Sequence, residues 1–148
     1  MSNLNYYISF DTDLIQHDRV YEYLRQSYWS PNLRRDLFDG GLRNSLCVGA
    51  YEEGTNKQIA FARLVTDYAR FAYLCDVFVF DEYQGKGVAQ RMLDELFNHE
   101  KVKTVGHWLL ATKDAHTLYE KLGFETAGER YMRMGRSSDR WQEPSSNS

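Results

Sequence analysis

The chain has 148 residues, 43% of them apolar and 26% charged, which fits one domain of roughly 100–200 residues rather than two. At that size about 68–70% of the unfolded surface can be buried, so the fold needs neither a disulfide scaffold nor a structural metal. Eighteen basic against 21 acidic side chains leave a net charge of −3, with no basic stripe to follow a phosphate backbone, so no nucleic acid partner is expected.

No window approaches the run of apolar residues that a membrane span needs, and Met1 to Asn5 has neither a basic stretch nor an apolar signal core. A cytoplasmic protein without membrane contact is expected. Aromatics at 15%, led by 11 tyrosines, argue against a disordered chain. Cys47 and Cys75 both fall in apolar strand-like runs and are expected to be reduced, buried thiols.

Periodicity orders the elements along the chain. Tyr6 to Phe10 reads as a strand. A helix follows through about Ser27, with Asp18 as its cap and Val20 and Leu24 at helical spacing. A second helix is expected from Ser30-Pro31, burying Leu33, Leu37 and Phe38 until Gly40-Gly41 end or weaken it. Leu46–Tyr51 and Gln58–Thr66 read as antiparallel strands joined by the turn residues Glu53 to Asn56, and Tyr73–Phe80 as a central strand. Ala89, Met92, Leu93, Leu96 and Phe97 form one helical face after the loop 81–86. Gly106–Ala111 is then a strand, Ala115–Leu122 a short helix stopped by Gly123, and Arg130–Met134 a closing strand. The order β-α-α-β-β-β-α-β-α-β gives an α+β domain over 1–136, a mixed sheet with helices packed on it. The polar tail 137–148 is expected to be disordered.

The stretch from Val79 to Ala89 runs from a buried strand through a glycine-bearing loop directly into a helix. Amides at a helix start have no partner within it and lie at the positive end of its dipole, so they suit a phosphate. Gly85 and Gly87 leave the main chain open to such a group, and Lys86 adds a positive charge. Neither a P-loop nor the dinucleotide fingerprint fits, because Gly87 follows Lys86 and position 90 is Gln.

Gln84-Gly85-Lys86-Gly87-Val88-Ala89 resembles the acyl-CoA pyrophosphate loop of the GCN5-related N-acetyltransferase (GNAT) superfamily. The preceding Tyr73 to Val79 is similar to its fourth strand, and Ala115, Tyr119 and Gly123-Phe124 to its other hallmark. The resemblance spans roughly Tyr6 to Met134 and implies an acyl-CoA N-acyltransferase-like fold, with a mostly antiparallel mixed sheet and helices on both faces. It further implies that Phe78 and Val79 pair with the pantetheine arm, where the fourth and fifth strands splay apart. The amides of Gln84, Gly85, Lys86, Gly87, Val88 and Ala89 would hold the pyrophosphate, and Tyr119 would protonate the departing CoA thiolate. Thr112 stands where the family often has a cofactor-contacting Asn, and Cys75 where some members have a Glu. Tyr28 and Trp29 lie in the region that forms one wall of the acceptor pocket, and a hydrophobic clasp between two helices is their other reading.

An ammonium has no lone pair, so the acceptor must lose a proton before it attacks. Asp76, Tyr68 and His107 are the candidate bases. Asp76 is taken as the leading one, projecting opposite to Cys75 and Val77, with an ion pair to Arg63 or Arg70 as its other role. His116 reads as a solvated helix residue. Cys47, Cys75, His107 and His116 have no short paired ligand spacing, so no metal is expected. The expected function is transfer of acetyl from acetyl-CoA to a primary amine by direct attack in a ternary complex. A small amine is favoured over a peptide, and a homodimer is compatible with the resemblance. The alternative is a CoA-binding regulatory or partner-binding module without turnover.

Overall fold

Five strands form one sheet in the order β1-β2-β3-β4-β5 in the computed structural model, which describes residues 3–136 and 140–144. The strands are β1 (Tyr6–Ser9), β2 (Leu46–Glu52), β3 (Gln58–Thr66), β4 (Phe71–Val79) and β5 (His107–Leu110). The first four pair antiparallel, and β5 joins β4 in parallel, so the sheet is mixed as expected. The β2–β3 turn depends on Gly54 and Asn56, both at positive φ, and is closed by the Glu52 N–H donating to the Lys57 carbonyl at 2.8 Å.

Alternating side chains divide the core between the two faces. On one face Val48, Ala50, Ala60, Ala62, Leu64, Ala72 and Leu74 pack under α3 (Val88–Phe97), which contributes Val88, Met92, Leu93 and Leu96. The short α4 (His116–Lys121) covers the β5 end of this face with Tyr119. On the other face α1 (His17–Arg25) and α2 (Arg35–Arg43) bury Val20, Leu24, Phe38 and Leu42 against Cys47, Phe61, Phe78 and Phe80. None of these helices is long and apolar enough to cross a membrane.

Several expectations are corrected. Asp18 does not cap α1. It lies in the first turn and pairs with Arg35 at 2.9 Å, while Gln16 occupies the cap position without a side-chain bond. The second helix begins at Arg35 rather than Ser30-Pro31, because Asn32 adopts φ 57° and Leu33 forms an antiparallel bridge to Gln142. It also continues through Gly40-Gly41. A Cβ at Gly41 would lie 3.3 Å from Arg63 Nη1, so the glycine there makes room for the guanidinium. With this register Phe38 and Leu42 face inward and Leu37 is 41% exposed.

The closing strand Arg130–Met134 is absent. Gly128–Arg130 is a short 3-10 turn, and 131–136 pair with no strand among the described residues. A strand needs an edge to pair with, and here the Tyr131 hydroxyl bonds the His107 ring at 2.7 Å while Met132 is 98% exposed. The tail is also more ordered than composition implied. Residues 140–143 are fastened to the α1–α2 loop by Arg34 N–H to the Trp141 carbonyl (2.9 Å), Glu143 N–H to the Asn32 carbonyl (2.6 Å) and Gln142 Nε2 to the Pro31 carbonyl (2.8 Å). The rest of the expected tail, 137–139 and 145–148, lies outside the described residues.

Candidate active site

The site begins with a mismatch in the β3–β4 ladder. Phe61 pairs with Phe78 and Arg63 with Cys75, so Asp76 and Val77 together oppose the single residue Ala62. This is a β-bulge, and Asp76 takes its strained position at φ 56°. The bulge exchanges the faces of β4. Ala72 and Leu74 point to α3 before it, whereas Val77 and Val79 do so after it and Phe78 turns to α1. Alternation alone put Asp76 on the face opposite to Cys75; the bulge turns its carboxylate onto Arg63, directly across from Cys75, so the ion pair expected as its other role is formed with Arg63.

β5 follows β4 only from Phe71 to Leu74, opposite His107 to Leu110. Beyond Leu74 the β5-side edge of β4 has no ladder partner among the described residues. The Phe80 N–H bonds back to Ile59 at 2.9 Å, so strand alternation turns the peptide groups of Val79 the other way, into this gap. Val79 thus sits at the splay where a chain-like ligand can add to the sheet edge, whereas Phe78, paired with Phe61, turns its own peptide groups toward β3. The Phe78 ring is stacked on Tyr23 at 4.1 Å, so neither its ring nor its peptide groups face the gap, contrary to the expectation that Phe78 would pair with the pantetheine arm.

The strand end leads through a 3-10 turn, Asp81–Tyr83, into the glycine loop. Gly85 and Gly87 have φ of 78° and 77°, with open space where a Cβ would stand, so backbone conformation rather than crowding requires glycine. Gly87 caps α3, whose first internal bond is Arg91 N–H to the Gly87 carbonyl at 3.2 Å. The amides of Gly85, Lys86, Gly87, Val88 and Ala89 have no partner among the described residues, and the loop from Gln84 to Gly87 is exposed. The Gln84 amide differs, since it already bonds the Asp81 carbonyl at 3.4 Å, while its side chain donates to the Val79 carbonyl at 2.9 Å. A diphosphate fits this row of free donors at the positive end of α3.

Tyr119 enters the gap from the α3 face. Its ring is held edge-on to Phe124, and burial pushes its phenol up to about 12, with the nearby Tyr28 hydroxyl adding to the shift. It therefore keeps its proton at neutral and mildly alkaline pH. Tyr28 and Trp29 arrive from the opposite face on the α1–α2 loop, with their rings edge to face at 5.1 Å. Lys113, from the β5–α4 loop, sits 5.3 Å over the Tyr28 ring. Thr112, in the β5–α4 loop, accepts from the N–H of Ala115, the residue before α4, at 3.1 Å. On the far side of Tyr119, β5 and residues 122–131 border an open groove of about 1050 Å³.

Asp76 is held by two donors. Arg63 Nε gives to Oδ2 at 2.8 Å and Trp29 Nε1 to Oδ1 at 3.1 Å. Burial is the largest influence and would lower the guanidinium pKa, but the charge and hydrogen bond of Asp76 together with Cys75 and Cys47 leave it raised. Burial pushes the Cys75 thiol up to about 11 although Arg63 opposes the shift, so this residue is a neutral thiol near pH 7 and a poor nucleophile. Of the other candidate bases, Tyr68 is exposed in the β3–β4 turn and His107, bonded to Tyr131, lines the groove that Tyr119 also borders; His116 is exposed at the start of α4, the solvated position expected of it.

The model of the family described as Acetyltransferase (GNAT) domain matches residues 43–126, more than half of the chain and the whole stretch from β2 to α4. The chain belongs to the GNAT acetyltransferase family. A Gibberella zeae protein named for an inferred acetyltransferase activity is 28% identical over 143 residues, covering 82% of this chain and 80% of the relative. A crystal structure from Xanthomonas campestris pv. campestris, assigned to the same GNAT family, is 33% identical with a TM-score of 0.80, covering 86% and 94% of the two chains. An acetyltransferase structure from Clostridium acetobutylicum, determined with acetyl-CoA, shares the fold at 22% identity and a TM-score of 0.65, covering 90% and 96%.

Among GNAT residues singled out from sequence, Val79 to Ala89 form one continuous edge and loop, and Tyr119, Tyr28, Trp29 and Asp76 gather around the gap beside it. Sequence reasoning missed two features. Lys113 reaches the Tyr28 ring from a loop that carried no motif, and the Gln84 side chain ties the loop to β4. Only the second had a signal, an amide side chain five residues after a strand end that the resemblance already placed at the cofactor.

Proposed function

We propose that this GNAT enzyme transfers the acetyl group of acetyl-CoA to the nitrogen of a primary amine by direct attack in a ternary complex. The observation that carries this reading is the β4 edge left without a ladder partner beyond Leu74, which leads through the Asp81–Tyr83 turn to the unpartnered amides of Gly85 to Ala89. The peptide groups of Val79 would hold the pantetheine arm at the strand edge, the loop amides the diphosphate, and Lys86 would add charge. Thr112, half-buried in the β5–α4 loop, lines the same groove as Tyr119. Acetyl-CoA supplies an activated thioester, and the chain supplies orientation and proton transfer.

Tyr119 is the proposed acid. A phenol kept protonated to about 12 can hydrogen-bond a developing thiolate and give it a proton. Asp76 is the proposed acceptor of the amine's proton, since each carboxylate oxygen keeps a lone pair beyond its bond to Arg63 or Trp29. No acyl-enzyme is needed, because burial keeps Cys75 a thiol. The Tyr28–Trp29 wall, tied down on Asp76, favours a small amine over a peptide laid across the opening.

The test is acceptor-dependent release of CoA thiol from acetyl-CoA with spermidine, tyramine, glucosamine and a lysine-bearing peptide. Release with at least one small amine and no acetylated enzyme by mass spectrometry is the expected result. CoA binding without release across the panel would reassign the chain as a CoA-binding module. A covalent acetyl-enzyme would overturn direct attack.

A further inference from the structure

Arg63 has more partners than a surface ion pair needs. It rises from β3 with only 22% of its side chain exposed, passes over Gly41 of α2, and donates through Nη1 to Ser45 Oγ at 3.0 Å. Its Nε then grips Asp76, itself 10% exposed. Asp76 stands in the left-handed conformation at the bulge, where few residues other than Gly, Asn and Asp settle, and its second oxygen receives the Trp29 indole. Trp29 is the point at which the α1–α2 loop touches the β4 bulge. A chain of charge-assisted bonds thus runs from α2 and β3, through the bulge, to the acceptor-side loop.

We propose that Arg63 is a positioning residue: acting through Asp76 and Trp29, it holds the loop 26–34 against the β4–β5 gap and so sets acceptor affinity without touching the acceptor. The inference rests on the acceptor side assigned under the proposed function. Its geometry is independent of that assignment. Arg63 fixes the carboxylate, the carboxylate fixes the indole, and the indole carries Tyr28 with it toward Tyr119. Because the links are in series, breaking the first or the second should release the same loop.

Hydrogen exchange of residues 26–34, read by mass spectrometry, tests the loop. Arg63→Gln, Asp76→Asn, Trp29→Phe and the double variant Arg63→Gln/Asp76→Asn are compared with the unaltered protein. Exchange should rise roughly tenfold in each single variant, as expected for loss of a charge-assisted hydrogen bond, and no further in the double. CoA affinity by calorimetry should stay within about twofold in every variant; for Arg63→Gln, KM for whichever panel amine is turned over should rise about tenfold with kcat little changed, whereas Asp76→Asn also removes the proposed proton acceptor and is read by exchange alone. Trp29→Phe removes one donor from a residue 38% exposed, so it reports even if Arg63→Gln fails to fold. Unchanged exchange in Trp29→Phe, effects that add in the double variant, or a parallel loss of CoA affinity would overturn the inference. If no panel amine is acetylated, the proposed function falls, and the exchange measurements still decide the role of Arg63.

Discussion

The side-chain amide of Gln84 donates to the carbonyl of Val79 across 2.9 Å, fastening the start of the glycine loop to the end of β4. Strand edge and loop are therefore one rigid unit, and a ligand spanning both meets donors already in place. Gln84→Ala should weaken CoA binding by roughly 3- to 10-fold, the worth of one net hydrogen bond. Calorimetry checks this. The melting temperature should hardly move, because Gln84 is exposed.

Tyr119→Phe keeps the ring that packs on Phe124 and removes only the hydroxyl. Turnover should fall by roughly 10²- to 10⁴-fold, the usual contribution of a general acid, with KM for acetyl-CoA nearly unchanged. Since the phenol ionises only near about 12, no alkaline limb below pH 10 should belong to it. Steady-state kinetics of both proteins across pH 6 to about 10 give the comparison.

Alkali should destabilise the fold through its buried thiols. Burial raises Cys47 from 9.0 to about 12 and Cys75 from 9.0 to about 11. A group whose folded pKa is raised contributes stability that is complete below its unfolded pKa and is lost as pH climbs through the folded one. Urea midpoints should thus be flat up to about pH 9 and fall above it. The double variant Cys47→Ala/Cys75→Ala should have a shallower fall. An equal slope in both proteins would assign the alkaline loss to other groups.

A chain ending at Arg136 loses the bonds that tie 140–143 to Pro31, Asn32 and Arg34. These bonds are partly exposed, so the expected cost is about 1–2 kcal/mol, or a melting temperature lower by about 3–6 °C. Protease sensitivity should increase at residues 30–34 and not in the β2–β3 turn. Limited proteolysis followed by mass spectrometry locates the cuts.

The strands β2, β3 and β5, the helix α3 and the glycine loop were legible in sequence because each is governed by local rules. Period-two and helical spacing mark the elements, and glycines mark the positive φ at 85 and 87. The second helix was misplaced for a non-local reason: Leu33 is held by Gln142, more than a hundred positions away, against the local preference of Ser30-Pro31. The expected strand at Arg130–Met134 had the right pattern, but a pattern cannot supply the partner edge.

By itself the sequence determined the family, and it singled out the glycine loop and Tyr119 as the proposed cofactor-side residues, since short motifs at fixed spacing mark them. Only the tertiary structure decided how Asp76 is used. The extra residue in β4 turns its carboxylate onto Arg63 and the Trp29 indole, and a bulge depends on the register of two strands, which composition and periodicity in one strand do not contain.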